Sequence, residues 1–181
     1  MKVSSPPYDV LSIDEAHKLT QNNPDSFLRI IKPEIDFPDC DLHCDTIYKH
    51  AAHNIHDFIV SGTIQQDDNS CFYLYEISMG NHTQIGIMAA VSVTEYNEGL
   101  IKKHEFTRQD KEDDRSKHIE ITNANTGPVL LTFRNDGKFQ KHIEDLIKQT
   151  KDISFQADDQ TIHTLWKISN LNAQESLRSY F

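Results

Sequence analysis

The sequence predicts a mixed α/β fold of the α+β kind, a mixed β-sheet with flanking helices, over a single domain spanning residues 1–181. Three observations predict it. β-rich runs come in pairs around turn residues, as hairpins do. Other stretches repeat their apolar residues at helical spacing. No internal repeat, low-complexity tract or Pro/Gly/Ser linker divides the chain, and 181 residues suffice to bury a real core.

Taking the elements in order, Ser12-Ile13-Asp14-Glu15 has capping-box spacing and predicts a short helix that stops near Asn22-Asn23-Pro24. Phe27 to Ile31 reads as a strand closed by Lys32-Pro33. From Leu42 to Ser61, apolar residues recur at helical spacing up to a natural C-cap at Gly62. Cys71 to Ile77 and Thr83 to Val93 read as a hairpin around Gly80-Asn81-His82. A polar helix is expected over Gln109 to Asn123, and the nearly all-apolar run Pro128 to Phe133 suits a buried strand. Asn135-Asp136-Gly137 turns the chain into an amphipathic helix with Phe139, Ile143, Leu146 and Ile147 on one face. Ile153–Gln156 and Thr161–Ile168 suggest a second hairpin around residues 157–160. Asn172 to Phe181 reads as a helix that has only just begun, the expectation for the amino-terminal portion of a longer protein.

Composition narrows the function. Eighteen Lys and Arg against 28 Asp and Glu give a net charge of −10, which argues against nucleic acid or an anionic membrane as partner. No stretch approaches the ~20 apolar residues of a membrane span, and the first residues do not resemble a secretory signal. Three cysteines, Cys40, Cys44 and Cys71, cannot all pair within one chain, so a reduced cytoplasm is the plain expectation. Cys40-x-x-His43-Cys44 has poor spacing for zinc, and Cys40, Cys44 and Cys71 do not form two close pairs.

The segment His104 to His118 carries the strongest chemical signal. No apolar residue lies between Phe106 and Ile119, so a helix here must be held by something other than an apolar face. In helical geometry Arg108, Lys111, Arg115 and His118 fall at i, i+3, i+7 and i+10, one narrow basic stripe. One reading is a solvated helix laced with pairs such as Asp113–Lys117, each contributing only about 0.2–0.5 kcal/mol. The other is an anion site, since charge-assisted hydrogen bonds to phosphate contribute roughly 1.5–3 kcal/mol each. His104 and Glu105 then stand beside it as general acid/base groups.

His104-Glu105-x-Thr107 followed by Lys111 and Asp114-Arg115 resembles the signature of the domain-of-unknown-function family numbered 1015. The resemblance continues through Ser5-Pro6-Pro7-Tyr8-Asp9-Val10, Asn23-Pro24, Ser26 to Arg29, Lys32-Pro33-Glu34, Asn125 to Val129 and His163-x-x-Trp166. It implies an architecture of the ParB/sulfiredoxin-like kind, shared with free-serine kinases, and a role in serine metabolism. Full-length members are roughly twice as long as this chain and carry an Asp-Gly-His-His-Arg motif that this chain lacks. The implied activity is phosphoryl transfer from pyrophosphate or a nucleotide to the hydroxyl of free serine, with the isolated chain expected to lack part of the machinery. On that reading Glu105 accepts the hydroxyl proton and His104 or Thr107 orients the reactants. Arg108, Lys111 and Arg115 hold phosphates, Tyr8 and Asp9 line the site, and Asp114 (or Asp113) helps to hold Mg²⁺. The alternative is a non-catalytic phosphate- or metabolite-binding or regulatory domain. Donor, acceptor and oligomeric state stay open at this point.

Overall fold

The computed structural model describes residues 3–40, 44–103, 106–134 and 137–181. In chain order the regular elements are a 3-10 turn at Tyr8–Val10, α1 (Ile13–Thr20), α2 (Leu28–Ile31), a second 3-10 turn at Pro33–Asp36 and α3 (Asp45–Val60). They continue with β1 (Phe72–Met79), β2 (His82–Met88), α4 (Val93–Asn97), α5 (Gln109–Thr122), α6 (Lys138–Ile143), β3 (Ile153–Gln156), β4 (Ile162–Ile168) and α7 (Leu171–Arg178). The class is α+β, and the four strands pair antiparallel throughout. These elements belong to two compact units, one from Met1–Gln66 with Lys103–Leu130, the other from Asp67–Lys102 with Leu131–Phe181.

The first unit is helical. Its opening follows from the capping box: Ser12 Oγ accepts from the Glu15 amide at 3.3 Å, and Glu15 Oε2 accepts from the Ser12 amide at 2.9 Å. The core gathers Ala16, Leu28, Ile30, Ile31, Ile35 and Phe58. The expected strand at Phe27 to Ile31 is instead the single turn α2. A five-residue apolar run fits either state by pattern alone. As a helix it buries Leu28, Ile30 and Ile31 together. Arg29 is left at the rim, where it donates to Asp36 Oδ1 at 2.5 Å and to the Thr20 carbonyl at 3.0 Å.

α3 begins at Asp45, with Cys44 as its N-cap; the expected start at Leu42 lies outside the described residues. It buries Ile47, Tyr48, Ala51 and Phe58. α5 spans its expected range and ends at Asn123, whose φ of 51° puts it in the left-handed region that closes helices. It has no apolar stripe to pack, and polar side chains hold it to the rest of the unit. His118 is 1% exposed and its Nε2–H donates to the Ile30 carbonyl at 2.8 Å. The Tyr48 hydroxyl of α3 donates to Asp114 Oδ1 at 2.7 Å, and Lys117 meets Asp45 of α3 at 2.6 Å. Lys117 also lies 4.9 Å above the Tyr48 ring. These contacts answer the question that the sequence poses about what secures a helix without a hydrophobic face.

The second unit holds the sheet, with strand order β2-β1-β4-β3. Tyr75 of β1 stands opposite Gly86 of β2 and Leu165 of β4, and Phe155 of β3 stands opposite His163 of β4. Alternation along the strands sends Leu74, Trp166 and Ile168 to one face, where Phe139, Ile143 and Leu177 complete the core. Tyr73, Tyr75, His163, Leu165 and Lys167 occupy the other. Both expected hairpins form, although β2 ends at Met88 rather than running to Val93. The amphipathic helix is shorter than its apolar pattern, ending at Ile143, while Leu146 and Ile147 still pack on the core. The chain's last residues dock through aromatic rings: Phe133 lies 5.8 Å from Tyr180 and 5.1 Å from Phe181.

Pro128 to Phe133, expected as a buried strand, has no regular structure, and Val129 and Leu130 are each 79% exposed. An apolar run becomes a strand only if a neighbour completes its ladder. The sheet order leaves one edge of β2 and one edge of β3 open, and the run pairs with neither, nor with any other strand among the described residues.

Candidate functional site

Two chain segments that are far apart in sequence meet at Tyr8 in the first unit. The stiff Pro6-Pro7 pair leads into the 3-10 turn carrying Tyr8, with Pro7 extended at φ −57° and ψ 141°. The guanidinium carbon of Arg115 sits 4.4 Å from the centroid of the Tyr8 ring, a cation–π contact. Arg115 Nε and Nη2 donate to Asp114 Oδ2 at 2.9 and 2.6 Å, and Nη1 reaches the Ile31 carbonyl at 3.5 Å. Both side chains are half-buried.

Lys32 reaches the Tyr8 backbone. Its Nζ donates to the Tyr8 carbonyl at 3.2 Å and lies 3.6 Å from Glu34 Oε1, with the lysine side chain only 11% exposed. Sequence reasoning gave Lys32 and Glu34 no role of their own; they were visible only as part of the Lys32-Pro33-Glu34 motif. Tyr48 was missed altogether, because a buried aromatic in an apolar-patterned helix carries no chemical signal. Burial, followed by the hydrogen bond to Asp114, pushes the Tyr48 phenol well above its ordinary value, so it acts as a donor at neutral pH. The result is two half-buried ion pairs that both reach Tyr8, Arg115–Asp114 through its ring and Lys32–Glu34 through its backbone carbonyl.

The basic stripe does not hold together as one surface. His118 turns into the core, where burial lowers its pKa, and its Nδ1 is buried without a hydrogen-bond partner. Arg115 stacks on Tyr8. Arg108 precedes the helix as its N-cap residue, is exposed, and pairs with Asp110 at 2.7 Å. Lys111, Thr107 and Asp9 are exposed to solvent. The proposed acid/base pair His104 and Glu105 lies outside the described residues.

For a divalent cation the fit is poor among the described residues. Asp114 Oδ1 accepts from Tyr48 and Oδ2 from Arg115, and no three His, Cys, Asp or Glu side chains converge. Zinc fares no better. Cys40 and Cys44 are paired with each other, against the expectation of reduced thiols, and Cys71 donates to the Asn69 carbonyl at 3.1 Å. At Asn125-Thr126-Gly127 the Asn125 side chain accepts from the Gly127 amide at 3.4 Å, which is an ordinary turn.

The motifs that frame this cluster, from Tyr8 through Lys32-Pro33-Glu34 to Asp114-Arg115, are spread along a chain that matches one family over its whole length. The family is described as a protein of unknown function, DUF1015, and the match covers residues 1–181. The chain belongs to the DUF1015 family. No curated protein and no solved structure matches it. Within this DUF1015 chain, Trp166 of the His163-x-x-Trp166 motif is a core residue, 3% exposed, whose Nε1–H donates to the Gln149 carbonyl at 3.3 Å. His163 lies on the opposite face of the sheet, where its Nδ1 shares a 2.7 Å hydrogen bond with the Tyr75 hydroxyl. No helix among the described residues is long and apolar enough to cross a membrane.

Proposed function

We propose that this chain is the amino-terminal part of a cytoplasmic small-molecule phosphotransferase, of ParB/sulfiredoxin-like architecture, that phosphorylates the hydroxyl of free serine. The observation that carries the reading is the pair of half-buried ion pairs that reach Tyr8: Lys32, paired with Glu34, bonds its carbonyl, and Arg115, paired with Asp114, stacks on its ring. A free amino acid is a zwitterion and a phosphoryl donor is an anion. A cluster with both signs of charge offers cations to phosphate or carboxylate and carboxylates to ammonium.

In the proposed reaction the serine Oγ attacks the terminal phosphorus, a new O–P bond forms, and the P–O bond to the leaving group breaks, releasing phosphate from pyrophosphate or the shortened nucleotide from ADP or ATP. Glu105 takes the hydroxyl proton and His104 or Thr107 orients the reactants. Such transfer depends mostly on positioning and on neutralising phosphate charge. Arg115 and Lys32 supply that charge. Arg108 and Lys111, exposed at the start of α5, attract the donor from solution. Mg²⁺ enters this scheme with the donor's phosphates, and no step here depends on a protein-held metal.

A second reading is a non-catalytic phosphate- or metabolite-binding domain. It is favoured by the fact that Arg108 and Arg115 each already hold an acidic partner, as in a structural network. Phosphoserine formation separates the two. With serine and pyrophosphate, ADP or ATP as donor, a protein extended through an Asp-Gly-His-His-Arg segment should form phosphoserine, and Glu105→Gln should abolish turnover while sparing phosphate binding. Near-normal turnover in Glu105→Gln would remove Glu105 as the base. Binding without phosphoserine from any donor would favour the second reading.

A further inference from the structure

Cys40 and Cys44, four residues apart in sequence, are joined to each other at the start of α3. Cys40 closes a turn, its amide donating to the Phe37 carbonyl at 3.1 Å. That turn is fastened further along α3. His50 Nε2 shares a 3.1 Å hydrogen bond with Asp36 Oδ2, and the Phe37 ring meets the His50 ring edge-on at 5.0 Å. Cys44 is the N-cap residue of α3, yet its side chain makes no capping hydrogen bond. Its carbonyl accepts from the Ile47 amide at 3.1 Å, so the first turn of the helix is built on it. The disulfide fixes that residue where other helices use a capping side chain. The next residue, Asp45, holds Lys117 of α5, and Tyr48 in the same stretch holds Asp114. Both cysteines are half-buried rather than sealed in the core. Closing so short a loop stabilises a fold less than closing a long one, and partly exposed bonds of this kind exchange with small thiols.

We propose that Cys40 and Cys44 are a reversible thiol–disulfide pair that sets how firmly the start of α3 holds α5. In reduction the thiolate of a small thiol such as glutathione attacks one sulfur, the S–S bond breaks, and the other sulfur leaves and takes a proton. A second small thiol attacks the mixed disulfide, giving two cysteine thiols and one small disulfide. Two electrons and two protons thus pass from the small thiols to the protein. Oxidation by a small disulfide runs the same steps in reverse. Reduction leaves Cys40 in its turn, because the Asp36 and Phe37 contacts to His50 remain, and it releases Cys44. With no side-chain cap to replace the bond, the first turn of α3 frays and Asp45 loosens its hold on Lys117. The proposal concerns only the first unit and is independent of the phosphotransferase reading.

The test equilibrates the whole chain in glutathione buffers of graded potential. Alkylation and mass spectrometry follow the pair, while backbone hydrogen exchange is read on each element. The pair should pass from disulfide to dithiol within the range that glutathione covers. Reduction should speed exchange in the first turn of α3 by about three- to thirtyfold, the upper figure being the loop-closure value for so short a loop. Exchange around Lys117 in α5 should rise with it, while β1 to β4 stay unchanged. A Cys40→Ser/Cys44→Ser protein, first shown to be folded, should give the reduced pattern in every buffer, and Cys71→Ser should respond as the parent does. By reciprocity Lys117→Ala should favour the dithiol by about two- to fivefold, the range for an exposed ion pair. A pair that never changes state across the buffers, exchange in α3 and α5 that ignores the redox state, or an unchanged midpoint in Lys117→Ala would each overturn the proposal.

Discussion

Replacing Tyr48 by Phe removes one hydroxyl and leaves the ring, so it isolates the bond that ties α3 to α5. That hydroxyl donates to Asp114 Oδ1 at 2.7 Å from a residue only 2% exposed. Hydrogen bonds to a charged partner contribute roughly 1.5–3 kcal/mol. Asp114 keeps its Arg115 partner at 2.6 Å and is 18% exposed, so solvent and Arg115 compensate in part and the expected cost is about 1.5 kcal/mol. Asp114→Asn should cost more, about 2–3 kcal/mol, because it weakens the Tyr48 bond and also leaves the half-buried Arg115 guanidinium without its counter-charge. The double variant should then fall short of the sum by about 1 kcal/mol, the coupling carried by the shared bond. Urea denaturation of the four proteins, followed by far-ultraviolet circular dichroism, measures this cycle. Strict additivity, or a Tyr48→Phe protein within experimental error of the parent, would refute the view that polar contacts hold α5 in place.

Three further outcomes follow from local chemistry. Ser12→Ala removes the acceptor that caps α1 and should cost about 1 kcal/mol in the same denaturation assay; no loss would mean that the capping box is not formed in solution. His118 is buried with its pKa lowered by that burial, so the unfolded chain binds a proton that the folded chain does not. Its contribution is full above the unfolded value of about 6.5 and is lost as pH falls toward the lowered folded value. His118→Gln, which keeps an N–H for the Ile30 carbonyl, should lose less stability than the parent on acidification from about pH 7 to about pH 5; equal slopes would contradict the assignment. The cytoplasmic location proposed above predicts that Cys40 and Cys44, paired in this structure, are recovered as thiols when cells are lysed into an alkylating reagent. A pair recovered oxidised would contradict that location.

What the sequence made legible was local. The Ser12–Glu15 box and the hairpins around Gly80-Asn81-His82 and residues 157–160 depend on neighbours a few residues apart, and all appear where expected. The two misjudged segments, Phe27 to Ile31 and Pro128 to Phe133, are short apolar runs without a period. Their state depends on the rest of the chain: a core to fill in one case, and a sheet whose open edges the run does not join in the other. α5 was legible as a helix, but its anchors are not, because Tyr48 lies 66 residues from Asp114 and Ile30 lies 88 residues from His118.

The candidate site divides in the same way. Tyr8, Asp114 and Arg115 were nominated from opposite ends of the first unit and do come together. Arg108 and Lys111 share Arg115's helical stripe on paper, yet they stay in solvent, because the Arg115 side chain turns toward Tyr8 and the helix begins only after Arg108. Lys32 and Glu34 follow the apolar turn α2, and nothing in their own spacing announces that the fold brings Lys32 to Tyr8 with Glu34 as its partner.

In the proposed site the Tyr8 cluster, rather than the exposed start of α5, holds the anion. Calorimetric titration of the chain with pyrophosphate and Mg²⁺ tests it most directly, with a Lys32→Ala/Arg115→Ala protein set beside an Arg108→Ala/Lys111→Ala protein, each first shown to be folded by circular dichroism. The parent should bind saturably, with binding retained but weakened in the Arg108/Lys111 variant and lost in the Lys32/Arg115 variant. Binding that survives loss of Lys32 and Arg115, or a folded parent that binds no pyrophosphate, would contradict it.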